Sequence, residues 1–308
     1  MKGQDRLTAN RLVPDLRIRV WALLLLACFL AGCTPRQAAP AEPLAAFQPY
    51  LGRSLSYLAR QVDATGLLHA TPGEGATRHW LVPDNQLALW AFEAAHATET
   101  ATKLRTALAA MPPATHGLIE AMHGEAIPWP PHSAVQQEVQ PGIWIETYGG
   151  EAIADWESDC ALDLIAALHA WNGGDKGEAT RLYAEAMGKF DDTGCRRPEP
   201  PGSYRTRDLA LAIFTGARIG EQVDKRRIDA LLALQTPSGG FTTQYTAEGP
   251  QGNPTTADTA YVALALMAVR QLFTCAPVSR ITVQLSAPST DNRRSTALAS
   301  NGRRSVPG

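Results

Sequence analysis

The feature that most constrains this chain is a repeat in which an acidic residue precedes a stretch rich in Ala and Leu. Its four copies begin at Asp84, Asp159, Asp208 and Asp258, so that successive copies start 75, 49 and 50 residues apart. A period near 50 residues fits a helical hairpin with its loops, and chains that repeat such a unit bury apolar faces by stacking neighbouring units. The longer first interval contains an irregular, Pro- and Trp-bearing segment, residues 111–150.

Helical periodicity extends through most of the remaining chain, and no segment shows a convincing strand pattern. The predicted helices are 44–62, 85–97, 101–110, 155–171, 176–190, 205–219, 225–235 and 257–273. Apolar stripes alternate with amphipathic helices, as the inner and outer helices of a ring would. We therefore expect an all-α fold whose helical hairpin repeats form an α/α toroid, with the ring complete or incomplete. An open helical solenoid would show the same pattern.

A second motif carries a family resemblance. Gln235-Thr-Pro-Ser-Gly-Gly-Phe241, followed by the helix that begins at Asp258, resembles the Q-x-x-x-G-G-F/W repeat of the terpenoid cyclase and protein prenyltransferase superfamily. The wider stretch Tyr204–Met267 resembles uncharacterised prokaryotic relatives of that group. The resemblance implies the toroid fold rather than a function.

The chemistry of the parent families does not follow from this resemblance. Squalene-type cyclases need an Asp-rich acid motif, which Phe190-Asp-Asp-Thr-Gly194 does not match. Prenyltransferases need a zinc set of Asp, Cys and His, and Cys195 and Cys275 lack suitably placed partners. Terpenoid or prenyl chemistry is therefore the least favoured function.

The N-terminus predicts the compartment. A basic region precedes the apolar run Val20–Leu30, which is too short for a bilayer-spanning helix of about 20 residues but suits a signal peptide. The following Leu30-Ala31-Gly32-Cys33 resembles the lipobox of bacterial lipoproteins. That resemblance implies cleavage before Cys33, acylation of Cys33 and attachment to a lipid membrane of the cell envelope. Thr34, in place of Asp, favours the outer membrane in a Gram-negative organism. An ordinary signal peptide or a short anchor is the alternative.

These features divide the chain into four parts. We expect a lipoprotein signal peptide over 1–32, a Pro- and Ala-rich tether over 33–43, the helical domain over 44–275 and a disordered tail over 276–308. The net charge of −2 and the isoelectric point near 6.4 provide no basic field, so nucleic acid is not an expected partner.

The cysteines indicate a disulfide rather than a metal site. In an oxidising compartment Cys160 and Cys195 can pair across 35 residues, and free buried thiols are the alternative. No cysteine has a CxxC or Cys/His spacing, so a structural zinc site is not expected. We expect no metal and no cofactor.

The acidic repeat also predicts a site, because parallel inner helices would bring their N-termini to one mouth. We expect the catalytic acids and bases among Asp84, Asp155, Glu157 and Asp258, with Glu146 nearby, since paired carboxylates at a cleft can cleave glycosidic bonds. Asp155 is favoured as an acid with a raised pKa, because it enters its helix directly from the aromatic segment. The expected ligand-binding residues are Trp80, Trp156, Asp159, Tyr204, Asp208 and Tyr245. The alternative is that each aspartate caps or begins a helix and each ring packs in the core.

Two functional hypotheses follow from these residues. In the first, an envelope lipoprotein binds and processes a glycan-like ligand at the mouth. In the second, a non-catalytic scaffold or partner-binding lipoprotein offers the same face to a glycan, a peptide or another protein.

Overall fold

The elements of the fold are given for the residues that the structure, a computed structural model, describes: 42–71, 79–113, 115–196 and 202–275. The α-helices are α1 Glu42–Gln61, α2 Val82–Ala94, α3 Thr98–Ala109, α4 Leu118–His123, α5 Cys160–Asn172, α6 Lys176–Gly188, α7 Thr206–Ile219, α8 Lys225–Ala233 and α9 Thr256–Cys275. The strands are β1 Trp80–Leu81, β2 His132–Gln140, β3 Ile143–Ala152, β4 Tyr204–Arg205, β5 Phe241–Thr246 and β6 Gly249–Thr255. A 3-10 helix, Trp156–Ser158, lies between β3 and α5.

The four apolar stripes of the sequence form α2, α5, α7 and α9, which pack in the order α2, α9, α7, α5. The amphipathic helices pack around them: α3 on α2, α1 on α9, α8 on α7, and α6 on both α5 and α7. The inner helices are buried around most of their circumference, and residues 208–217 of α7 are buried without interruption. A helix that is apolar on all sides is stable only inside such a core.

Two three-stranded sheets accompany the helices, with strand orders β1-β3-β2 and β4-β5-β6. The β1–β3 pair is parallel and the other pairs are antiparallel. Three strands run directly into inner helices: β1 into α2, β4 into α7 and β6 into α9. Both sheets therefore contribute strands to the N-terminal ends of inner helices.

The prediction of an all-α toroid is wrong, because the part of the chain that the structure describes is a mixed α/β structure, with 54% of it in helices and 19% in strands. The long hairpin of β2 and β3 occupies the segment that we interpreted as irregular. Most of β2 is exposed, so it lacks the alternation of apolar and polar residues that identifies a half-buried strand. Strand β6 contains two prolines and two glycines, and its sequence does not predict a strand because both residue types are rare inside sheets.

The helix predictions are confirmed in outline, since each of the eight overlaps an observed helix. The largest shift is at α5, which begins at Cys160 instead of residue 155 because the 3-10 helix precedes it. The short α4, which contacts both α2 and α5, was not predicted. None of the helices within the described ranges is long and apolar enough to cross a membrane. The predicted signal peptide, Cys33 and the 276–308 tail lie outside the described residues.

Candidate functional site

The beginnings of α2, α7 and α9 share one arrangement, in which a strand leads into the helix and its third residue is an aspartate. These residues are Asp84, Asp208 and Asp258. The first turn of a helix carries unpaired amide N–H groups and the positive end of the helix dipole, so a carboxylate there is favourable. The acidic residues of the repeat thus have a structural reason to occur where they do.

Asp258 is held in place by two hydroxyl groups. Thr243 Oγ1 of β5 donates a hydrogen bond of 2.8 Å to Asp258 Oδ2, and Thr255 Oγ1 donates one of 2.6 Å to the same oxygen. The backbone N–H of Asp258 in turn donates to Thr255 Oγ1 at 3.1 Å. The side chain is 5% exposed, so these bonds fix its orientation inside the protein.

Asp84 has a different environment. Its helix has no side-chain cap, and Asp84 retains partial contact with solvent while protein atoms crowd its carboxylate. Burial raises its pKa to about 8, with further increases from the charges of Asp258 and Glu146 and a partial reduction by Arg207. At neutral pH Asp84 is therefore mainly protonated and can donate a proton.

Arg207, the second residue of α7, is the cation of this group. Burial alone would lower the pKa of its guanidinium, but Tyr261 and three aspartates raise it. Those aspartates are Asp208, Asp258 and Asp159. Arg207 Nε is buried and has no hydrogen-bond partner among the residues that the structure describes. We refer to Asp84, Glu146, Arg207 and Asp258 as the acid cluster.

Glu146 reaches the acid cluster from β3. Its Oε2 lies 2.9 Å from His116 Nε2, and its Oε1 accepts a hydrogen bond of 2.6 Å from Gln136 Nε2. The hydrogen bond from His116 is the main reason that the pKa of Glu146 is lowered, and burial opposes it. Gly117 allows His116 this position: its φ is +81°, and a Cβ there would collide with the ring of Tyr148.

The remaining acids of the prediction are not grouped in the same way. Asp159 is the N-cap of α5, where its Oδ1 accepts hydrogen bonds from the N–H groups of Ala161 at 2.8 Å and Leu162 at 3.4 Å. Asp155 and Glu157 are exposed at the turn before α5, and the side chain of Asp155 caps no helix. The acid whose pKa is raised to about 8 is Asp84, although the sequence favoured Asp155.

The predicted ligand-binding rings form pairs. Tyr204 and Tyr245 stack at 5.4 Å between ring centroids, and Trp80 lies 4.8 Å from the ring of His69. Trp156 meets Trp129 edge to face at 4.8 Å. The Tyr245 ring is 2% exposed, so it packs in the core, as the alternative interpretation of the rings expected.

A disulfide joins Cys160, the first residue of α5, to Cys195, with 6.5 Å between their Cα atoms. The loop that contains Cys195 also binds the tyrosine pair. Tyr245 Oη donates a hydrogen bond of 2.9 Å to the carbonyl of Thr193, and Tyr204 Oη donates one of 3.1 Å to Asp191 Oδ2. The disulfide thus connects the start of an inner helix to the loop that orients these rings.

The sequence pattern does not single out three polar residues with buried atoms: Arg207 and His116 near the acid cluster, and Asp163 in α5. Arg207 carries a usable signal, because a cation in the first turn of a helix opposes the helix dipole and needs another reason to be there. Asp163 interrupts the apolar stripe of α5; it is 4% exposed and forms an ion pair with Lys189. Burial raises the pKa of Asp163, and Lys189 counteracts this increase. His116 has no such signal, since its partner lies 30 residues away.

Within the described ranges, no group of three or more His, Cys, Asp or Glu side chains could hold a metal ion. No family model matches the chain, and comparisons with curated proteins and with solved structures find no significant similarity.

Proposed function

We propose that this chain is a lipid-anchored protein of the bacterial cell envelope that binds a glycan and cleaves it at the acid cluster. The observation that supports cleavage most strongly is that three carboxylates from separate elements, α2, β3 and α9, interact with one another and with Arg207, a half-buried arginine. Structural carboxylates normally form ion pairs or cap helices, whereas a group of carboxylates in unlike environments suits acid–base chemistry.

In this proposal Asp84 is the general acid. Because burial and two neighbouring carboxylates raise its pKa to about 8, it carries a proton at neutral pH. It would transfer that proton to the glycosidic oxygen as the bond to the anomeric carbon breaks, so that the leaving sugar departs as an alcohol.

Asp258 is the second carboxylate of the reaction. Two hydroxyl groups hold its Oδ2. Its Oδ1 would activate a water molecule or attack the anomeric carbon. Both oxygens of Glu146 are already engaged by His116 and Gln136. Glu146 therefore acts as a fixed negative charge that, with burial and Asp258, raises the pKa of Asp84. The Arg207 guanidinium would donate hydrogen bonds to hydroxyl groups of the bound sugar.

The test is a screen of the full chain, purified in detergent, against envelope and plant glycans, with release of new reducing ends as the readout. Asp84→Asn should reduce turnover by roughly 10²–10⁴-fold, the usual contribution of a general acid. Asp229→Asn is the matched control, since Asp229 is an exposed aspartate of α8 that pairs with Lys225. Equal activity of both variants would exclude the proposed role of Asp84. If sugars bind without being cleaved, the protein is the non-catalytic binding lipoprotein of the second hypothesis.

Membrane attachment is tested separately. We expect Cys33→Ser to abolish acylation, and either to release the protein from the membrane fraction or to leave it uncleaved. The motive is the Leu30-Ala31-Gly32-Cys33 sequence. Normal acyl labelling of the Cys33→Ser protein would contradict the proposal.

A further inference from the structure

A groove beside α5 contains two tryptophan rings and a row of charged side chains. It lies between the 3-10 helix and α6, and its volume is about 820 Å³. This is within the roughly 300–1,000 Å³ typical of small-molecule sites. We call it the tryptophan groove; its principal lining residues are Trp129, Trp156, Glu157, Arg181, Glu185 and Lys189.

The two tryptophans are held at a right angle. Their ring planes differ by 80°, and Trp129 also stacks on His169 with 16° between the planes. Both tryptophans are only half-buried, so part of each ring remains accessible in the groove. Fixed and accessible indole faces suit the apolar faces of sugar rings, because they provide contact area without further loss of side-chain freedom.

The charged residues around these rings are mostly paired with one another. Arg181 forms ion pairs with Glu178 and Glu185, and Lys189 pairs with Asp163. These pairs supply donors and acceptors for hydroxyl groups; the Lys189–Asp163 pair is the most buried of them, whereas the pairs of Arg181 are exposed.

Glu157 gives the groove its charge preference. It is exposed beside Trp156, and its carboxylate has no ion-pair or hydrogen-bond partner among the described residues. The groove as a whole has four acidic side chains and two basic ones. This excess of negative charge disfavours an acidic glycan and favours neutral or amino sugars.

One side-chain contact links the segment that carries Trp156 to the strand before α7. Trp156 precedes the helix cap Asp159 by three residues, and Asp159 Oδ2 lies 3.8 Å from Arg205 Nη1. Arg205 ends β4, which leads directly into α7 and Arg207. Asp159 therefore connects the groove to the strand that precedes the acid cluster.

We propose that the tryptophan groove is a second carbohydrate-binding site, which holds a neutral or amino-sugar oligosaccharide on Trp129 and Trp156. The proposal rests on the proposed function, in that the same glycan would extend from the acid cluster into the groove. It adds a substrate class, non-acidic oligosaccharides, and a requirement for more than one sugar ring.

The test is calorimetric titration of the full chain in detergent, in an Asp84→Asn background that prevents turnover. The probes are hexamers of glucose, glucosamine and galacturonic acid. We expect binding of the first two and weak or no binding of the third. Trp156→Ala should weaken the binding of both non-acidic hexamers roughly tenfold, which corresponds to about 1.4 kcal/mol. Trp171→Ala, which changes a half-buried tryptophan at the other end of α5, should have no effect.

A second variant tests the groove with a substitution that should not disturb folding. Glu157→Gln changes an exposed side chain and should weaken binding of the glucosamine hexamer alone. Equal affinities in Trp156→Ala and Trp171→Ala, or no selective effect of Glu157→Gln, would overturn the groove proposal. Tight binding of the galacturonic acid hexamer would also overturn it. If glycans are cleaved or bound while the groove variants have no effect, the proposed function stands without the groove. If no glycan binds or is cleaved, both proposals fail.

Discussion

The beginnings of α2 and α5 have the same sequence feature, an aspartate before an apolar stripe, yet the two aspartates have opposite environments. Asp159 precedes α5 as its N-cap and accepts two backbone N–H groups. Asp84 is the third residue of α2, whose N-cap is Leu81, and its helix has no side-chain cap. One carboxylate is stabilised by its own helix, whereas the other is surrounded by groups from elsewhere in the fold.

The difference arises from what precedes each helix. A turn of 3-10 helix leads into α5 and leaves Asp159 in an extended conformation, from which its side chain folds back onto the first amides. Strand β1 leads into α2 and pairs with β3, the strand that carries Glu146. The sheet thus brings a second carboxylate toward Asp84 and supplies no cap. The same sequence feature can therefore place one aspartate at a helix cap and another among charges from other elements.

The largest expected difference between the two aspartates is in the pH dependence of turnover. Since Asp84 must be protonated to act as a general acid, activity should fall about tenfold per pH unit above a pH of about 8. Asp159→Asn retains a side chain that can cap α5, so its turnover should show the same decline. Rates of glycan cleavage between pH 5 and pH 10 test this prediction. A rate that does not decrease up to pH 10 would show that Asp84 is not the general acid.

A smaller effect is expected on stability. The pKa of Asp84 is about 8 in the folded protein and near 3.8 in the unfolded chain, so between these values only the folded state holds the proton. The free energy of unfolding should therefore decrease as the pH rises from about 4 to 8. Asp84→Asn should remove this loss and be more stable than the wild type at pH 9, by roughly 2 kcal/mol. A pKa difference corresponds to about 1.4 kcal/mol per pH unit. The expected gain in stability is smaller than the whole difference between pKa values of 3.8 and about 8 would give, because Asp84 is partly exposed to solvent. Urea denaturation at pH 5 and pH 9 measures it, and an Asp84→Asn protein that is less stable at pH 9 would contradict the prediction.

The smallest effect concerns the cap itself. Asp159→Ala leaves the N–H groups of Ala161 and Leu162 without their acceptor and should cost about 1 kcal/mol. Asp84→Ala is the matched variant. It removes no helix cap, so it should not lower the free energy of unfolding at pH 9. Urea denaturation of both variants at that pH gives the difference; equal destabilisation would show that the two aspartates are not distinct.

The helices of this fold could be predicted from sequence because their apolar spacing is local information. The helix α7 begins within one residue of its predicted start. The strands could not, since β2 is exposed along most of its length and β6 is rich in Pro and Gly. Such strands are stabilised by pairing with other strands, and the spacing of apolar residues within one segment does not indicate which strands pair.

The acid cluster was predictable in part for the same reason. Asp84 and Asp258 belong to the repeat, so their residue type and spacing singled them out. The distinction between Asp84 and Asp155 depends on burial and on charges from β3 and α9, which only the folded structure brings together. The contact between His116 and Glu146 depends likewise on a loop folding against β3.

The most direct test of the central claim is a carboxyl titration of Asp84 by NMR, with selectively labelled aspartate and Asp84→Asn to assign its resonance. The account predicts one aspartate resonance that titrates near pH 8 in the wild type and is missing from the variant. A wild-type protein in which the Asp84 carboxyl titrates at or below its ordinary value, near pH 4, would contradict the account.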